Sequence, residues 1–379
     1  MVVMSIIKKS QLIMRRLGIP AWLIFSREDD DQNSFLLLGK HLMSRHAIIV
    51  PASGKPVALI GELEAGLFRG REDFRVRVFK DAEAFKRLLK SEASRHGMIA
   101  LNYATNLLES RYSSAISYLS HSEYLALRKL LPGCHFISSQ KLQYELRYVK
   151  TSEEVKLHKK ACSIIEEIVD GVLRNSGIKG KTEKEVAIAI ENGMRIRDCE
   201  PSFRTIVASG PNSAVPHHDP TSRRIRRGDM VLIDAGASYM MRCSDISRTI
   251  CVGRATELNK SVYAQVKEAQ KTALRIIRPG VRAGDVNRKC DEALLRLGKG
   301  EIMHGAGHPL GLRVHDVGPS FSNTHKERVL KLQDGMIMTV EPGLYLEGKF
   351  GVRIEDDVLV SGKKGCILLT HSPEELVEI

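Results

Sequence analysis

Twice in its second part the chain runs through one succession of elements: a long helix, a glycine-bearing turn, a second helix, then strand-like sequence carrying carboxylates. The first copy opens at Thr151-Ser-Glu-Glu154, a capping box in which the Thr hydroxyl accepts from a free amide and Glu154 reaches back. An amphipathic pattern follows to about Asn175, stops near Gly177, and restarts as a capped helix from Thr182. The second copy runs from about Leu258 to Ile277, turns at Pro279-Gly280-Val281, and continues from about Gly284 to Leu297. This is a duplicated helix–helix–sheet unit, which predicts a site between two related halves.

The first part reads differently. Gln11 to Leu17 is the end of a helix, closed by Gly18 and followed by Pro20, and Ala21 to Phe25 is a short apolar strand. Ala47 to Val50 and Pro56 to Ile60 flank Ala52-Ser53-Gly54-Lys55, a hairpin signal. Asp81 to Ser91 and Ser122 to Leu130 are helical, so this part is a small α/β domain. The change of character between Tyr144 and Lys150 sets domains at residues 1–146 and 147–379.

Composition narrows the function classes. At 379 residues, 43% hydrophobic and 27% charged, the chain has the make-up of a soluble globular protein. Its seven cysteines, at 134, 162, 199, 243, 251, 290 and 366, include no CxxC pair. That argues against a disulfide framework and a zinc ribbon, and for reduced thiols and a cytoplasmic address. Lys8, Lys9, Arg15 and Arg16 interrupt the apolar pattern of Met1 to Gly18, so it is not a signal peptide, and no run is long enough for a membrane span. The net charge of +13 invites a nucleic-acid reading. The positive residues are spread along the chain, however. Their densest cluster, Arg223, Arg224, Arg226 and Arg227, has no aromatic interleaving, and a solvated basic surface is the better account.

The carboxylates carry the chemistry. Met230-Val-Leu-Ile233 is a buried-strand pattern ending in Asp234, and Ser244-Asp245-Ile-Ser-Arg-Thr-Ile250 alternates like its return. A turn centred near Tyr239 and Met240 places Asp234 directly opposite Asp245, about 5 Å apart. Two carboxylates that close repel unless a proton or cation lies between them. Met336-Ile-Met-Thr-Val340 likewise ends in Glu341, and a turn centred on Gly348 sets Glu341 opposite Glu355, with Pro342 distorting the pairing. Between these hairpins lies His304-Gly-Ala-Gly-His308-Pro-Leu-Gly-Leu-Arg-Val-His315-Asp316. His304 and His308 have helical metal-pair spacing, but Gly305, Gly307, Pro309 and Gly311 rule against a helix and for a strand and loop that approach a ligand closely. An Asp after a strand is by itself usually a turn or cap residue; the combined spacings are what point to a site. Four carboxylates and one imidazole form an oxygen-rich set suited to two divalent ions.

Taken together these segments resemble the pita-bread metallopeptidase family: prolidases, aminopeptidase P, methionine aminopeptidases and creatinase. The resemblance lies in Asp234 and Asp245 eleven apart, His308 and His315 seven apart, and His217 seventeen before Asp234 in Ser209-Gly-Pro-Asn-Ser-Ala-Val-Pro-His217. It also lies in Glu341 of Thr-Val-Glu-Pro-Gly and Glu355 of Val-Arg-Ile-Glu-Asp. It covers roughly residues 146–379, and the preceding domain resembles the Xaa-Pro peptidase branch.

The resemblance implies an α+β protein, with a pita-bread catalytic domain after a smaller α/β creatinase-like domain. It implies two divalent metal ions, Mn²⁺ or Co²⁺ ahead of Zn²⁺ or Fe²⁺, held by Asp234, Asp245, His308, Glu341 and Glu355. Asp245 and Glu355 bridge, and Glu341 also shuttles the proton of the attacking water. His217 and His315 donate to the substrate carbonyl and tetrahedral intermediate. His304 lies by the proline pocket, and Arg353, grouped with it on the substrate side, could also steady Asp234. The implied substrates are short proline-containing peptides and the implied assembly is a homodimer, with no nucleic-acid or membrane partner. Two features depart from the short prolidases: Gly-His308-Pro-Leu-Gly replaces Gly-His-Gly-x-Gly, and Pro319 stands where some carry an Arg for a dipeptide carboxylate. Three alternatives remain: a peptidase of the same chemistry without proline specificity, a non-catalytic binding relative, and a metal-free creatinase-like hydrolase, the last opposed by the complete ligand set.

Overall fold

A computed structural model describes residues 5–28, 30–105, 113–175, 177–298, 300–324 and 326–379. Met1 to Met4, part of the N-terminal stretch read above, lie outside the described residues. The chain divides into two compact units, Met1–Arg147 and Tyr148–Ile379.

The first unit is a mixed six-stranded sheet flanked by helices. Its strands are β1 (Ala21–Ser26), β2 (His46–Pro51), β3 (Val57–Gly61), β4 (Arg75–Phe79), β5 (Met98–Leu101) and β6 (His135–Ser138), in the order β4-β3-β2-β1-β5-β6. The helices are α1 (Ile6–Leu17), α2 (Gln32–Leu38), α3 (Ala82–Ala93), α4 (His121–Leu130) and α5 (Gln140–Arg147). Helix α1 ends where Gly18 adopts a left-handed φ of 67°, a conformation that costs glycine nothing. The β2–β3 pair is the expected antiparallel hairpin around Ala52–Lys55. Leu23, Ile49, Leu59, Phe85, Leu89, Ile99 and Phe136 fill the core between sheet and helices.

The second unit contains the duplication. Half one has α6 (Ser152–Asn175) and α7 (Glu183–Ile196), followed by β7 (Glu200–Pro201), β8 (Ile206–Ser209), β9 (Met230–Ala235), β10 (Ala237–Tyr239), β11 (Arg242–Cys243) and β12 (Ile246–Cys251). Half two has α8 (Glu257–Ile276) and α9 (Ala283–Leu294), followed by β13 (Ile337–Val340), β14 (Gly343–Leu346), β15 (Phe350–Arg353), β16 (Asp356–Ser361) and β17 (Gly365–Leu368), with the short β18 (Val377–Glu378) pairing back onto β12. Each half has its own core. One is built on Ile165, Val169, Ile190, Val231, Ile233 and Ile250, the other on Val262, Val266, Val286, Met338, Val340, Val352 and Val358.

The backbone hydrogen bonds repeat between the halves. Gly180 N–H donates to Ile225 O, and Gly280 N–H to Leu332 O. Gly228 N–H donates to Val252 O, and Gly335 N–H to Val360 O. Residues starting α7 and α9 form matching bridges, Thr182 with Arg224 and Arg282 with Lys331. Part of the basic cluster is therefore a structural strap: Arg224 guanidinium donates to Gly180 O, and Arg223 pairs with Asp229 at 2.7 Å.

Candidate metal centre

The first carboxylate pair differs from the sequence reading. Strand β9 pairs with β12 so that Ser247, not Asp245, lies opposite Asp234. The cause is the turn, which falls at Met240–Met241 rather than Tyr239–Met240. Both residues take positive φ, 48° and 54°, as a tight two-residue hairpin turn requires. Moving the turn centre by one residue slips the register by two, and because side chains alternate with period two the face is kept. Asp245 thus lies diagonally from Asp234 on the same face. It also leaves the ladder: its N–H donates to Asp357 Oδ2 at 3.0 Å.

The second pair keeps its expected register. Val340 pairs with Asp356 in β13–β16 and Gly343 with Arg353 in β14–β15, so continuing the ladder sets Glu341 across from Glu355. Pro342 splits the two ladders there, as a residue lacking an N–H must. His308 arrives on the glycine-rich segment at the edge of β13. Its N–H donates to Thr339 Oγ1 at 3.0 Å, Thr339 N–H returns to His308 O at 2.9 Å, and Glu341 N–H donates to Ala306 O at 2.9 Å. Glycine is needed for that approach: a Cβ on Gly307, at φ 156°, would sit 2.2 Å from Thr339 O.

These elements bring the ligand candidates together. Asp245, His308 and Glu355 each offer an atom within 4.8 Å of the others, and all three are buried. His308 Nε2 lies 3.5 Å from Asp245 Oδ2 and 3.5 Å from Glu341 Oε1. Burial raises the Asp245 and Glu355 carboxyls well above the usual carboxylate range, and Glu341 and Asp234 add repulsion at Glu355, as Glu355 and Asp234 do at Asp245. Asp234 Oδ1, Asp245 Oδ1 and Glu355 Oε1 are buried with no hydrogen-bond partner among the described residues. Unsatisfied, mutually repelling oxygens at the focus of a packed frame fit the coordination of divalent cations.

Arg353 is only 2% exposed, and its donors point inward. Nη2 contacts Asp234 Oδ2 at 2.5 Å, Nε reaches Ser247 Oγ at 2.8 Å, and Nη1 reaches Tyr345 Oη at 2.8 Å and Pro216 O at 3.3 Å. In this geometry the guanidinium holds Asp234. His304 Nε2 lies 2.7 Å from Tyr345 Oη, and its Nδ1 is 3.8 Å from Glu341 Oε2. The exposed His315 ring stands 4.2 Å from the His308 ring. His217, also exposed, follows Pro216, whose carbonyl Arg353 holds.

Three supporting residues escaped the sequence reading. Ser247 links Arg353 to Glu355 Oε2, donating to the latter at 2.9 Å. Tyr345 joins His304 to Arg353, and Asp357 braces Asp245 while accepting from Cys162 Sγ at 3.2 Å. Ser247 was reachable, since two residues beyond Asp245 on a strand is the same face. Tyr345 and Asp357 carried no such signal.

Residues 156–362 match the metallopeptidase family M24, and residues 6–149 match the creatinase/prolidase N-terminal domain. The Xaa-Pro dipeptidase of Pyrococcus furiosus is 41% identical over 235 residues, 62% of this chain and 66% of that protein. The aligned stretch thus spans just under two thirds of that relative's length. Among solved structures, the X-Pro aminopeptidase of Thermotoga maritima superposes with a TM-score of 0.86 at 31% identity, covering 97% of this chain and 100% of that one. The prolidase of Pyrococcus horikoshii gives 0.82 at 31% identity, covering 98% and 99%.

Proposed function

The chain belongs to metallopeptidase family M24, and from that premise we propose that it is an Xaa-Pro peptidase that uses two divalent metal ions. The observation that carries this reading is the convergence of Asp245, His308 and Glu355 with three buried carboxylate oxygens that have no partner among the described residues. Asp234, Asp245, His308, Glu341 and Glu355 would hold the ions. Four carboxylates and one imidazole favour Mn²⁺ or Co²⁺ over the softer, more nitrogen-seeking ions. When bound, the ions supply the Lewis acidity that lowers the pKa of a water and polarises the scissile carbonyl.

The protein groups do the rest. Glu341 takes the proton of the attacking water on a carboxylate oxygen and returns it to the departing imide nitrogen, which has no proton of its own. His217 and His315 donate to the carbonyl oxygen as charge develops on it. The paired His304 and Tyr345 form a wall beside Glu341, against which a proline ring packs. Arg353 fixes the carboxylate plane of Asp234, as outer partners of metal ligands do.

The similar proteins include a dipeptidase and an aminopeptidase by name, so substrate length is the next question. Hydrolysis of Met-Pro beside Met-Pro-Gly by metal-stripped protein reloaded with Mn²⁺ or Co²⁺ decides it. Cleavage of the tripeptide as well as the dipeptide is the expected result, because Pro319 offers no charge for a dipeptide carboxylate. Failure on both peptides with full metal occupancy would refute proline specificity. A cytoplasmic address accords with seven free cysteines, five of them buried. A homodimer completes the reading, to be checked by light scattering. No helix among the described residues is long and apolar enough to cross a membrane.

A further inference from the structure

Glu183 opens α7 with its side chain wholly inaccessible to solvent, yet the helix does not need it as a cap. Thr182 and Glu185 already form the capping box there. The Glu183 carboxylate instead takes six donors. Oε1 accepts from the N–H and hydroxyl of Ser209 at 2.8 and 2.7 Å, and from Asn212 Nδ2 at 2.9 Å. Oε2 accepts from the N–H and hydroxyl of Thr221 at 3.0 and 2.6 Å, and faces His218 Nε2 at 2.9 Å. Burial pushes this carboxyl up, but the bonds from Thr221, His218 and Ser209 outweigh it and bring its pKa down to about 2.

The donors come from two stretches, Ser209–Asn212 and His218–Thr221, and between them lie only Ser213 to His217. One carboxylate therefore closes a loop at both ends, and His217 is the last residue before the second tie. The far side of the loop rests on the strand leading to Glu355: Gly351 N–H donates to Ser213 Oγ at 2.9 Å, and Arg353 Nη1 to Pro216 O at 3.3 Å. That contact is possible because residue 351 is glycine, whose added Cβ would meet Ser213 O at 2.1 Å. We propose that Glu183 is the positioning residue for His217, holding both ends of its loop so that the imidazole is delivered at the edge of the carboxylate cluster.

The proposal rests on the Xaa-Pro peptidase reading for His217's task, so the test has one arm independent of activity. Full-length, metal-loaded wild type, Glu183→Gln, His217→Ala and the double variant are compared by amide hydrogen exchange and by kinetics. The glutamine keeps the shape but turns one acceptor into a donor facing other donors. Exchange should rise in peptides spanning residues 209–221 and stay unchanged in 230–251. Glu183→Gln should lower kcat about 100-fold with little change in KM, the scale expected of a misplaced group. His217→Ala should cost about 10²–10³. The double variant should be no worse than His217→Ala within about twofold, because two residues acting through one group are non-additive. Multiplying losses, or unchanged exchange in 209–221, would overturn the proposal. Should Glu183→Gln fail to fold, Asn212→Ala and Thr221→Val each loosen one end, and the same pattern is required of them. A wild type that cleaves no Xaa-Pro peptide sinks the functional reading, and the exchange arm alone then decides whether Glu183 orders the loop.

Discussion

Replacing Arg353 with methionine tests whether the centre is held by charge balance rather than by packing. The guanidinium donates to Asp234 Oδ2, while Asp234 Oδ1 has no partner among the described residues, and it also donates to Ser247, Tyr345 and Pro216. Methionine fills most of the volume but leaves a buried carboxylate uncompensated, which costs about 3–5 kcal/mol. For a unit the size of Tyr148–Ile379, at about 2–4 °C per kcal/mol, the metal-stripped variant should melt about 6–20 °C below wild type. Asp234 also loses the partner that fixes it for a metal ion, so metal affinity should fall about 10–100-fold, and by linkage the deficit should widen by about 1.4–2.7 kcal/mol at saturating metal. Scanning calorimetry with and without metal measures both effects. Lysine at this position should recover little, since one ammonium cannot reach Asp234, Ser247 and Tyr345 at once. A stripped Met variant melting within about 3 °C of wild type, or an equal deficit with and without metal, would refute the reasoning.

Asp245→Asn should abolish turnover while leaving the fold intact; near-normal activity at full metal occupancy would remove Asp245 from the centre. The same variant has a pH signature in the metal-stripped state. Asp245 has its folded pKa raised by burial, Glu355 and Asp234, so its contribution to stability is full below about pH 4 and is lost as pH rises through the raised value. Stripped Asp245→Asn should therefore melt higher than stripped wild type at pH 8, with the gap closing towards pH 4. Gly307→Ala should cost about 1–3 kcal/mol by overpacking against Thr339 O and should displace His308, read as lost metal in elemental analysis. Metal at about 100–1,000 times its dissociation constant should stabilise the wild type by about 2.7–4.1 kcal/mol, read as a rise in melting temperature.

The parts of this architecture set by local rules were open to reading in the sequence. Helix α6 begins at its capping box, with Glu154 N–H bonded to Thr151 Oγ1 and Thr151 N–H to Glu154, and α7 begins at Thr182 in the same way. The glycines around His308 spelled out a close backbone approach. Register was harder. Nothing in Tyr239-Met240-Met241-Arg242 shows which two residues accept positive φ, since none is glycine or asparagine, and tertiary packing decided it. Arg242 guanidinium donates to Met240 O and Met241 O and pairs with Glu154 on α6, which secures the turn from a distant element. The network behind the ligands was hidden for the same reason: Tyr345, Ser247 and Asp357 act through contacts about a hundred residues away in sequence, or through neighbours of no distinctive type.

The matched hydrogen bonds of the two halves show how the carboxylate cluster comes to be lopsided. In both halves a strand that follows the second helix, β9 in one and β13 in the other, leads to an acid at the corresponding place, Asp234 and Glu341, 107 residues apart like Gly228 and Gly335. The residue across the ladder is Ser247 in the first half and Glu355 in the second. A symmetric centre would carry two such acid pairs. Here Asp245 comes from outside the ladder, between β11 and β12, and the position across from Asp234 is a serine that links Glu355 to Arg353. The site is thus two unequal copies: one half supplies an acid pair, and the other supplies an acid, an out-of-register acid and a hydrogen-bonding support for the first. If that division holds, Ser247→Ala should loosen Glu355 and Arg353 together. Its effect on metal affinity should then be non-additive with that of Arg353→Met, because both changes cut one chain of hydrogen bonds. Titration of metal into the two single variants and the double variant measures it, and additive losses would mean that Ser247 merely fills space.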